Sequence, residues 1–530
     1  MTLILEPARE TPVIHETGVL VIGSGPGGLA AALAAARAGA EVTLLDRFGC
    51  FGGNITVVGV EGFAWYRHEQ TIEAGGIGWE FEERAKAMGA ASPESQSLSY
   101  ELDSEGFKLV ADRLVTEAGI HPMLHRQFVA PIMEGDTIRG VIVESKAGRE
   151  AILAKIVIDA TGDADVAHRA GAPTYKTPVE EMQAASVMFH IAGVDKAAFM
   201  AGVKADPQTY ANWSTGEWVV ETDGKEDAMF SPFLAKPFAQ AIRDGRMPAN
   251  LNTIGGTWGA VHDSGEMTYM NLIHLAECDG TDPDSMTRFE IEGRAQAMHA
   301  IDALKAYTPG CETARLRNFG MSIGIRDTRK IDAVYNMTET DVRQQARFDD
   351  SIGIYPEFID GYGVLIIPTT GRYMHIPYRA MLPKGVKNLL VAGRAIGGDK
   401  IAHAATRNMA CCTVAGQGAG VAAAIALASG CPLDAVPLER VQKTLQDQGV
   451  RLYCPRHARF QMALNPRRRH LPYRRVLPIH FTTGLEKSPP LRNVDRNQNA
   501  RMRHGPAYQR SDEILGCRGG AFSGVPVVHR

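Results

Sequence analysis

The sequence lacks the features that mark several classes of protein. It has eight cysteines among 530 residues and no C-x-x-C pair, which argues against a disulfide framework and a thiolate zinc site. No apolar run approaches the roughly 18 residues of a membrane-spanning helix. The first ten residues have neither a basic segment nor a long apolar core, so we expect no signal peptide. Together these absences predict a soluble, cytoplasmic protein without a membrane span.

Composition and length then bound the fold. Hydrophobic residues make up 45% of the chain and charged residues 22%, as in ordinary globular proteins, so disorder of the whole chain is excluded. Glycine is frequent, at 55 residues, which indicates many tight turns. At roughly 150 residues per domain, the length predicts two to four domains.

The last 80 residues differ in charge from the rest of the chain. Residues 451–530 contain 15 arginines and one lysine against four acids, although the whole chain has a net charge of −4. This stretch has little amphipathic period, so we interpret it as a disordered basic tail. A patch for nucleic acid or an acidic surface, or a stretch that is not native coding sequence, are alternatives. No nucleic-acid-binding fold is recognisable, and no nucleic-acid partner is predicted.

The clearest motif begins at Gly18. A β-branched strand, Gly18–Ile22, precedes the G-x-G-x-x-G run of residues 23–28, a small-residue helix, Leu29–Ala38, and a second strand, Glu41–Leu45. The second strand ends on Asp46. This order is the βαβ dinucleotide fingerprint in its full context.

Each polar or glycine position of the fingerprint has a physical role. Gly23 permits the tight turn, Gly25 lets the backbone approach a pyrophosphate, and Gly28 lets the helix pack on the strand. The helix N-terminus offers unpaired N–H groups to the phosphates. Asp46 is placed to accept hydrogen bonds from ribose hydroxyls. The fingerprint alone does not distinguish one dinucleotide from another.

Later segments of the chain indicate which dinucleotide is bound. The chain resembles the FAD-dependent oxidoreductase family of the glutathione-reductase-type FAD fold, which neighbours the fumarate reductase and succinate dehydrogenase flavoproteins. The resemblance spans residues 18 to about 430 and is poorly specific for substrate. It is carried by the fingerprint with Gly52-Gly53, by residues 158–163 (IDATGD), by residues 324–330 (GIRDTRK), and by the run from Ile376 through Arg394 to Gly420.

The resemblance implies FAD as the cofactor and assigns places to individual residues. It puts Asp46 and Arg47 at the adenosine ribose and Asp399 near the ribityl chain. It also implies a helix starting at Gly416 whose positive end faces the flavin. The predicted cofactor-binding residues are Gly23, Gly25, Gly28, Asp46, Arg47, Gly52, Gly53, Asn54, Gly162, Asp163, Gly393, Arg394, Asp399, Gly416 and Gln417.

We predict an α/β fold, with a Rossmann-like FAD-binding domain that is discontinuous in sequence and an inserted mixed α+β substrate domain. The FAD-binding domain would comprise residues 1–173 and 309–450, and the substrate domain residues 174–308. Within the latter, residues 186–191 and 267–275 read as strands and residues 283–307 as an amphipathic helix. Residues 255–259 (GGTWG) follow no convincing strand and are read as a loop, so no separate NAD(P)H domain is predicted.

Four residues are candidates for catalysis, because a flavin dehydrogenase needs a group that removes a proton beside the reacting carbon. His403 and Arg407 share a helix face if their stretch is helical. His375 precedes the last FAD strand, and His68 follows the Gly52-Gly53 turn. Each has a structural alternative: a core hydrogen bond, an ion pair or a solvated loop position. The sixteen histidines are scattered, and no metal site is predicted.

The sequence thus predicts an FAD-dependent oxidoreductase of the dehydrogenase or oxidase type. It would oxidise a small organic substrate by hydride transfer to flavin N5 and be reoxidised by oxygen, a quinone or a protein carrier. Alternatives are a reductase or hydroxylase fed by NAD(P)H, a flavoprotein electron-transfer subunit of a larger complex, and a flavin-binding redox sensor. Disulfide reductase chemistry is disfavoured because no cysteine lies four or five residues after Cys50.

Overall fold

A computed structural model describes most of the first 453 residues. It covers residue 4 and residues 7–63, 67–68, 71–72, 74–93, 99–206, 219–221, 234–366 and 372–453, with the backbone alone at 67–68, 71–72 and 219–221. The predicted basic tail therefore lies outside the described residues from residue 454 onward.

The dinucleotide fingerprint folds as its sequence predicts. The first strand, Val13–Ile22, is buried from residue 17 onward and pairs in parallel with the second strand, Val42–Leu45. Between them lies the first helix, Pro26–Arg37. The strand begins five residues before the prediction and the helix three residues before it. Proline at the first helical position explains the earlier start, because its fixed φ suits a helix and its missing N–H has no partner there anyway.

Seven strands form the main sheet, which is parallel at one side and antiparallel at the other. The strand Gly148–Asp159 is central: it pairs in parallel with the first strand and with the short strand Leu389–Val391, which comes more than 220 residues later. The spatial order, with Leu389–Val391 also on the central strand, is His121–Met123, Val42–Leu45, Val13–Ile22, Gly148–Asp159, Thr137–Ser145 and Gln127–Glu134.

A long apolar helix, Met409–Ser429, packs against the first helix and is called the core helix below. The two backbones are in close contact, since a Cβ added at Gly416 would overlap the carbonyl oxygen of Gly27. The core helix is long and apolar enough to cross a membrane by length and composition. However, 94% of its most apolar 18-residue stretch is buried inside the protein.

The predicted start of this helix at Gly416 is wrong by seven residues. Small residues run back from Gly416 to Ala410, and they continue the helix to Met409, with Asn408 as its N-cap. Gly416 and Gly420 lie inside the core helix, where they face Gly27 and Ala31 of the first helix.

A second core belongs to a three-stranded antiparallel sheet and a long helix. Two of the strands, Ala185–Ala192 and Glu266–Leu275, and the helix, Pro283–Tyr307, confirm the sequence reading. The third strand, Arg315–Phe319, pairs with Ala185–Ala192 and follows the predicted domain boundary at residue 308. Helix and sheet interlock, because a Cβ at Gly293 would overlap the Val187 side chain.

Shorter elements complete the described residues. The other strands are Gly62–Phe63, Arg67–His68, Thr71–Ile72, Ala91–Pro93, Tyr100–Leu102, Thr174–Lys176, Val219–Glu221, Arg329–Ile331, Ser351–Pro356, Ile359–Gly361, Val364–Ile366 and Tyr373–Pro377. The other α-helices are Gly76–Ala87, Ser104–Glu117, Asp165–Arg169, Lys196–Ala205, Lys236–Arg243, Glu339–Arg343, Lys400–Thr406 and Leu438–Asp447, and a π-helical turn spans Asn54–Val58.

The contact between the two helices predicts the effect of one added methyl group. Gly416→Ala should lower the free energy of unfolding by about 1–3 kcal/mol, because the methyl meets rigid backbone of the first helix. Ala428→Ser adds one heavy atom at an exposed position near the end of the same helix and should change it by less than about 0.5 kcal/mol. Urea unfolding measures both values. Equal effects would mean that the two helices do not touch at Gly416.

Candidate functional site

One cavity of about 610 Å³ runs along the carboxyl ends of the parallel strands. Its lining includes the residues that directly follow or end those strands: Ile22, Leu45, Ala160 and Ala392. Ligands of open α/β sheets bind at this edge. We call the lining from residues 22–27, 45–48, 126–128, 160–165 and 392–394 the nucleotide side of the cavity.

Asp46 is fixed by three hydrogen bonds on the nucleotide side. Its Oδ2 accepts from the backbone N (2.7 Å) and the hydroxyl (2.6 Å) of Ser24, and its Oδ1 accepts from Phe48 N (2.9 Å). The carboxylate therefore ties the glycine loop to the end of the second strand. Oδ1 keeps the capacity to accept one further hydrogen bond, as the ribose role requires.

Arg394 joins three separate segments of the chain at the centre of the cavity. Its Nε donates to Gly162 O (2.9 Å), its Nη2 to Asp163 Oδ1 (2.6 Å), and its Nη1 to Ile325 O. These segments are far apart in sequence, and one side chain sets their spacing. The predicted residues Gly162, Asp163 and Arg394 are thus brought together at the cavity wall.

Two carboxylates, Asp163 and Asp165, line the same region. Asp163 pairs with Arg394, and Asp165 pairs with Arg329. Burial, followed by the nearby charge of Asp163, raises the pKa of Asp165 to about 6. The paired arginines offset the negative charge next to the glycine loop.

Both helices of the close pair begin at the cavity. The first helix starts after Gly25, and the core helix contributes Asn408, Met409 and Cys412 to the lining. The N-terminal N–H groups of a helix lack intrahelical partners and carry a partial positive charge. The positive helix end that the family resemblance implies is therefore present, but it belongs to Met409 and not to Gly416.

A second group of lining residues comes from the sheet of the second core and from later loops. We call this group the arginine side: Ser186, Met188, Thr257, Tyr269, Asn271, Arg326, Phe358, Asp360, Leu365 and Arg407. Arg326 donates to Ala184 O (2.5 Å), Ser186 Oγ (2.6 Å) and Asn271 Oδ1 (3.2 Å). Arg407 donates to the backbone carbonyl (2.6 Å) and carboxylate (3.0 Å) of Asp360.

Most predicted cofactor residues line the cavity, and five do not. Gly28 and Gly416 are in helix packing, where a Cβ would overlap Gly23 O and Gly27 O respectively. Asp399 caps the helix Lys400–Thr406. Gln417 is buried and accepts from Ile77 N (2.9 Å). Those in the lining are Gly23, Gly25, Asp46, Arg47, Gly53, Asn54, Gly162, Asp163, Gly393 and Arg394.

Gly52 also stays outside the lining. It has a φ of 107°, its N–H donates to Ser24 O (2.9 Å), and a Cβ there would contact the Thr56 side chain. Gly52 therefore shapes the turn that presents its neighbour Gly53 to the cavity.

Of the three predicted catalytic residues whose side chains the structure describes, Arg407 alone lines the cavity. His403 is buried behind it, with Nε2 2.9 Å from the carbonyl oxygen of Arg326, to which it donates. Burial, together with the charge of Lys330, lowers the pKa of His403 to about 3. A neutral histidine in this place bonds to the arginine segment and does not line the cavity.

His375 lies away from the cavity. Its Nδ1 accepts from Phe348 N (3.1 Å), and burial lowers its pKa to about 4. His375 precedes the last predicted FAD strand in sequence, but its side chain does not line the cavity. The side chain of His68 lies outside the described residues, so its predicted role stays a prediction.

Sequence reasoning missed three polar residues of the arginine side. Asn271 and Asp360 hold the arginines, and no local motif surrounds either of them. Tyr269 lies in a strand at φ 51°, where the pairing register shifts. A non-glycine residue in that conformation is uncommon and often belongs to a functional site, but no pattern in one sequence announces it.

Metal binding finds no support in the described part of the chain. There, no group of three histidine, cysteine or carboxylate side chains is arranged to hold a metal ion. The chemistry of the cavity is that of glycine turns, helix ends and arginines, which suits an anionic dinucleotide.

The comparison with known families agrees with this geometry. The family model described as FAD dependent oxidoreductase matches residues 18–445. The chain therefore belongs to the FAD-dependent oxidoreductase family, and its cofactor is FAD.

Individual relatives are more distant. A digeranylgeranylglycerophospholipid reductase of Methanoculleus marisnigri is 30% identical over 206 residues, which cover 36% of this chain and 51% of that protein. A thiamine thiazole synthase of Metallosphaera sedula is 31% identical over 160 residues, covering 28% and 55%. The chain spans about half the length of the curated relatives it matches. A geranylgeranyl bacteriochlorophyll reductase-like protein of Thermoplasma acidophilum is 15% identical, with coverage of 85% and 87% and a TM-score of 0.41.

The residues of the nucleotide side fit FAD. Gly25 lines the cavity, and a Cβ added there would meet no atom within 4 Å, so the space in front of this glycine is free for a ligand. The N-terminus of the first helix would face the negative phosphates, that of the core helix would face the flavin, and Asp46 would face a ribose. These residues would hold and orient the cofactor through backbone N–H groups and one carboxylate.

Two alanine substitutions should separate cofactor binding from folding. In Gly25→Ala the methyl fits the protein but enters the cavity, so the fold should persist while FAD affinity falls about tenfold or more. Gly28→Ala places its methyl against Gly23 O and should destabilise the protein itself. Absorbance at about 450 nm relative to 280 nm, and circular dichroism, report the two effects. Full flavin occupancy in Gly25→Ala would contradict the assignment of the glycine loop.

The buried histidines predict a loss of stability in acid. An unfolded histidine has a pKa of about 6.5, whereas that of His375 in the folded protein is about 4. Between these values the unfolded state binds the proton more tightly, so the free energy of unfolding falls as pH drops from about 6.5 to 4.

His375→Gln should remove up to about 1.4 kcal/mol per pH unit from that slope. His299→Gln, at an exposed position, should leave the slope unchanged. Urea unfolding between about pH 4.5 and 7.5 measures it. An unaltered slope in His375→Gln would show that folding does not lower the pKa of this histidine.

Proposed function

We propose that this protein is a dehydrogenase or oxidase that oxidises a small organic substrate. The proposal is supported above all by the continuity of the cavity, in which the nucleotide side and the arginine side line one space. A cofactor on the nucleotide side would therefore meet a second ligand on the arginine side without an intervening wall. Bound FAD supplies the acceptor for the hydride that leaves the substrate carbon.

The residues of the chain would bind and orient the substrate and would accept the proton that leaves its O–H or N–H group. Oxidation of a carbon that bears O–H or N–H breaks the C–H bond and forms C=O or C=N, and the O–H or N–H proton leaves separately. Tyr269, with Thr257 and Asn271, lines the arginine side, and its hydroxyl is our candidate for the first proton acceptor or relay to water. The neutral His403 is set behind this wall and would position Arg326.

The positions of the lining residues in the sequence also support separate cofactor and substrate sides of the cavity. Residues 174–308 would form the substrate domain, because Ser186, Met188, Thr257, Tyr269 and Asn271 all come from that stretch and all line the cavity. The predicted boundaries at residues 173, 308 and 450 stay predictions. So do the cytoplasmic location and the closer kinship to fumarate reductase and succinate dehydrogenase flavoproteins, which rest on the sequence alone.

One alternative has specific support. The matched relatives include a digeranylgeranylglycerophospholipid reductase, which favours a reductase that receives its electrons from another donor. Against this, the sequence has no second strand-bound G-x-G-x-x-G for a pyridine nucleotide. The reoxidant of our proposal would be oxygen, a quinone or a protein carrier.

Anaerobic absorbance of the holoprotein at about 450 nm distinguishes these functions. Alcohols, amines, hydroxy acids and cyclic ketones are added singly, and NADH and NADPH are added to separate samples. Bleaching by an organic compound alone is the expected result. Bleaching by NADH or NADPH alone would overturn the proposal in favour of the reductase or hydroxylase, and no bleaching by any compound would favour a redox sensor or an electron-transfer subunit.

A further inference from the structure

Two arginines of the cavity wall carry more positive charge than their surroundings offset. Arg326 and Arg407 both line the cavity, and their charges repel each other. Asp360 is the one carboxylate on the arginine side, and it bonds to Arg407. Among the described residues, no carboxylate lies within ion-pair distance of Arg326, whose partners are a carbonyl, a hydroxyl and an amide oxygen.

Burial makes this excess charge costly. Desolvation, followed by the charge of Arg407, lowers the pKa of Arg326 to about 10. The Arg407 side chain is 11% exposed, and its Nε has no hydrogen-bond partner among the described residues. A buried cation that lacks a counter-charge destabilises a protein unless a ligand supplies that charge.

The rest of the arginine side is neutral. Met188, Phe358 and Leu365 are apolar, and Thr257 and Asn271 carry no charge, so no other described residue of the arginine side balances the arginines. The neighbouring carboxylates on the nucleotide side, Asp163 and Asp165, are already paired with other arginines. The excess charge therefore faces the space that the proposed substrate would occupy.

We propose that the substrate carries a carboxylate, which binds to Arg407 and Arg326. The inference rests on the proposed function, since it names the class of the molecule oxidised. Arginine binds carboxylates through paired, charge-assisted N–H···O bonds. The arginine pair would hold the carboxylate end, and the oxidised carbon would lie between that end and the nucleotide side.

Matched ligands test the proposal on the intact holoprotein. Lactate and lactamide, glycolate and glycolamide, and benzoate and benzamide differ in charge but hardly in size. Each is titrated at low ionic strength, and the perturbation of the flavin spectrum gives its Kd. We expect the carboxylates to bind at least about tenfold more tightly than their amides.

Two substitutions should act in opposite directions. Arg407→Gln should weaken carboxylate binding about tenfold or more and leave amide binding unchanged. Asp360→Asn removes the local negative charge, so it should strengthen carboxylate binding several-fold. Arg294→Gln is the matched control, because this arginine pairs with Glu290 outside the cavity. The comparison of ligand pairs on the unsubstituted protein stands even where a variant does not fold.

The outcomes separate this proposal from the proposed function. Equal affinity for acids and amides, or unchanged carboxylate binding in Arg407→Gln, would overturn the carboxylate. If Arg407→Gln changed only the affinity for FAD, the carboxylate proposal would also be overturned, because the arginines would then belong to the cofactor site. If neutral compounds bleach the flavin of the unsubstituted protein and of Arg407→Gln equally, the oxidase or dehydrogenase function stands without the carboxylate. Arginine-dependent carboxylate binding without any bleaching would support the anion site and refute the oxidation.

Discussion

The close contact between the first helix and the core helix is the constraint on which the site depends. Gly27 touches Gly416 of the core helix and Gly393 at the end of the short parallel strand, and side chains there would force the backbones apart. Because the axes lie so near each other, both helices can begin at one cavity. Each N-terminus carries about half a positive charge. Two such ends, fixed by backbone and not by flexible side chains, would form a preorganised place for FAD, one for its phosphates and one for its flavin.

The parts of this arrangement that the sequence predicts are those encoded by local motifs. The fingerprint is contiguous, and each of its glycines answers a need of the backbone within a few residues. Its strands, helix and terminal Asp46 are therefore predicted in the right order, although the first strand and the helix begin earlier than predicted. The helix Pro283–Tyr307 is predicted for the same reason, from its proline start and its apolar period. The third strand of the second sheet, Arg315–Phe319, is too short and too charged to be recognised.

Residues whose role depends on tertiary contacts cannot be identified from a single sequence. Gly416 and Gln417 look like the start of a helix beside a ligand, and only the packed structure shows them in the interior of that helix. His403 and Arg407 are one turn apart, yet they have opposite surroundings: the histidine faces the carbonyl of Arg326 and the arginine faces the cavity. Asp360 and Tyr269 come from loops and strands whose partners lie elsewhere in the chain, so no spacing rule identifies them.

The order of the lining segments along the chain has a consequence for synthesis. The glycine loop and the residues 160–163 leave the ribosome early, whereas Arg394, which bonds to Gly162, follows 232 residues later, and the start of the core helix later still. A nascent chain therefore exposes half of the cavity for most of its translation, with Gly27 lacking the helix that covers it. The cofactor site closes only when residues 388–412 have emerged and added their strand to the far side of Gly148–Asp159. FAD bound there would contact parts of the cavity wall that are synthesised 232 residues apart.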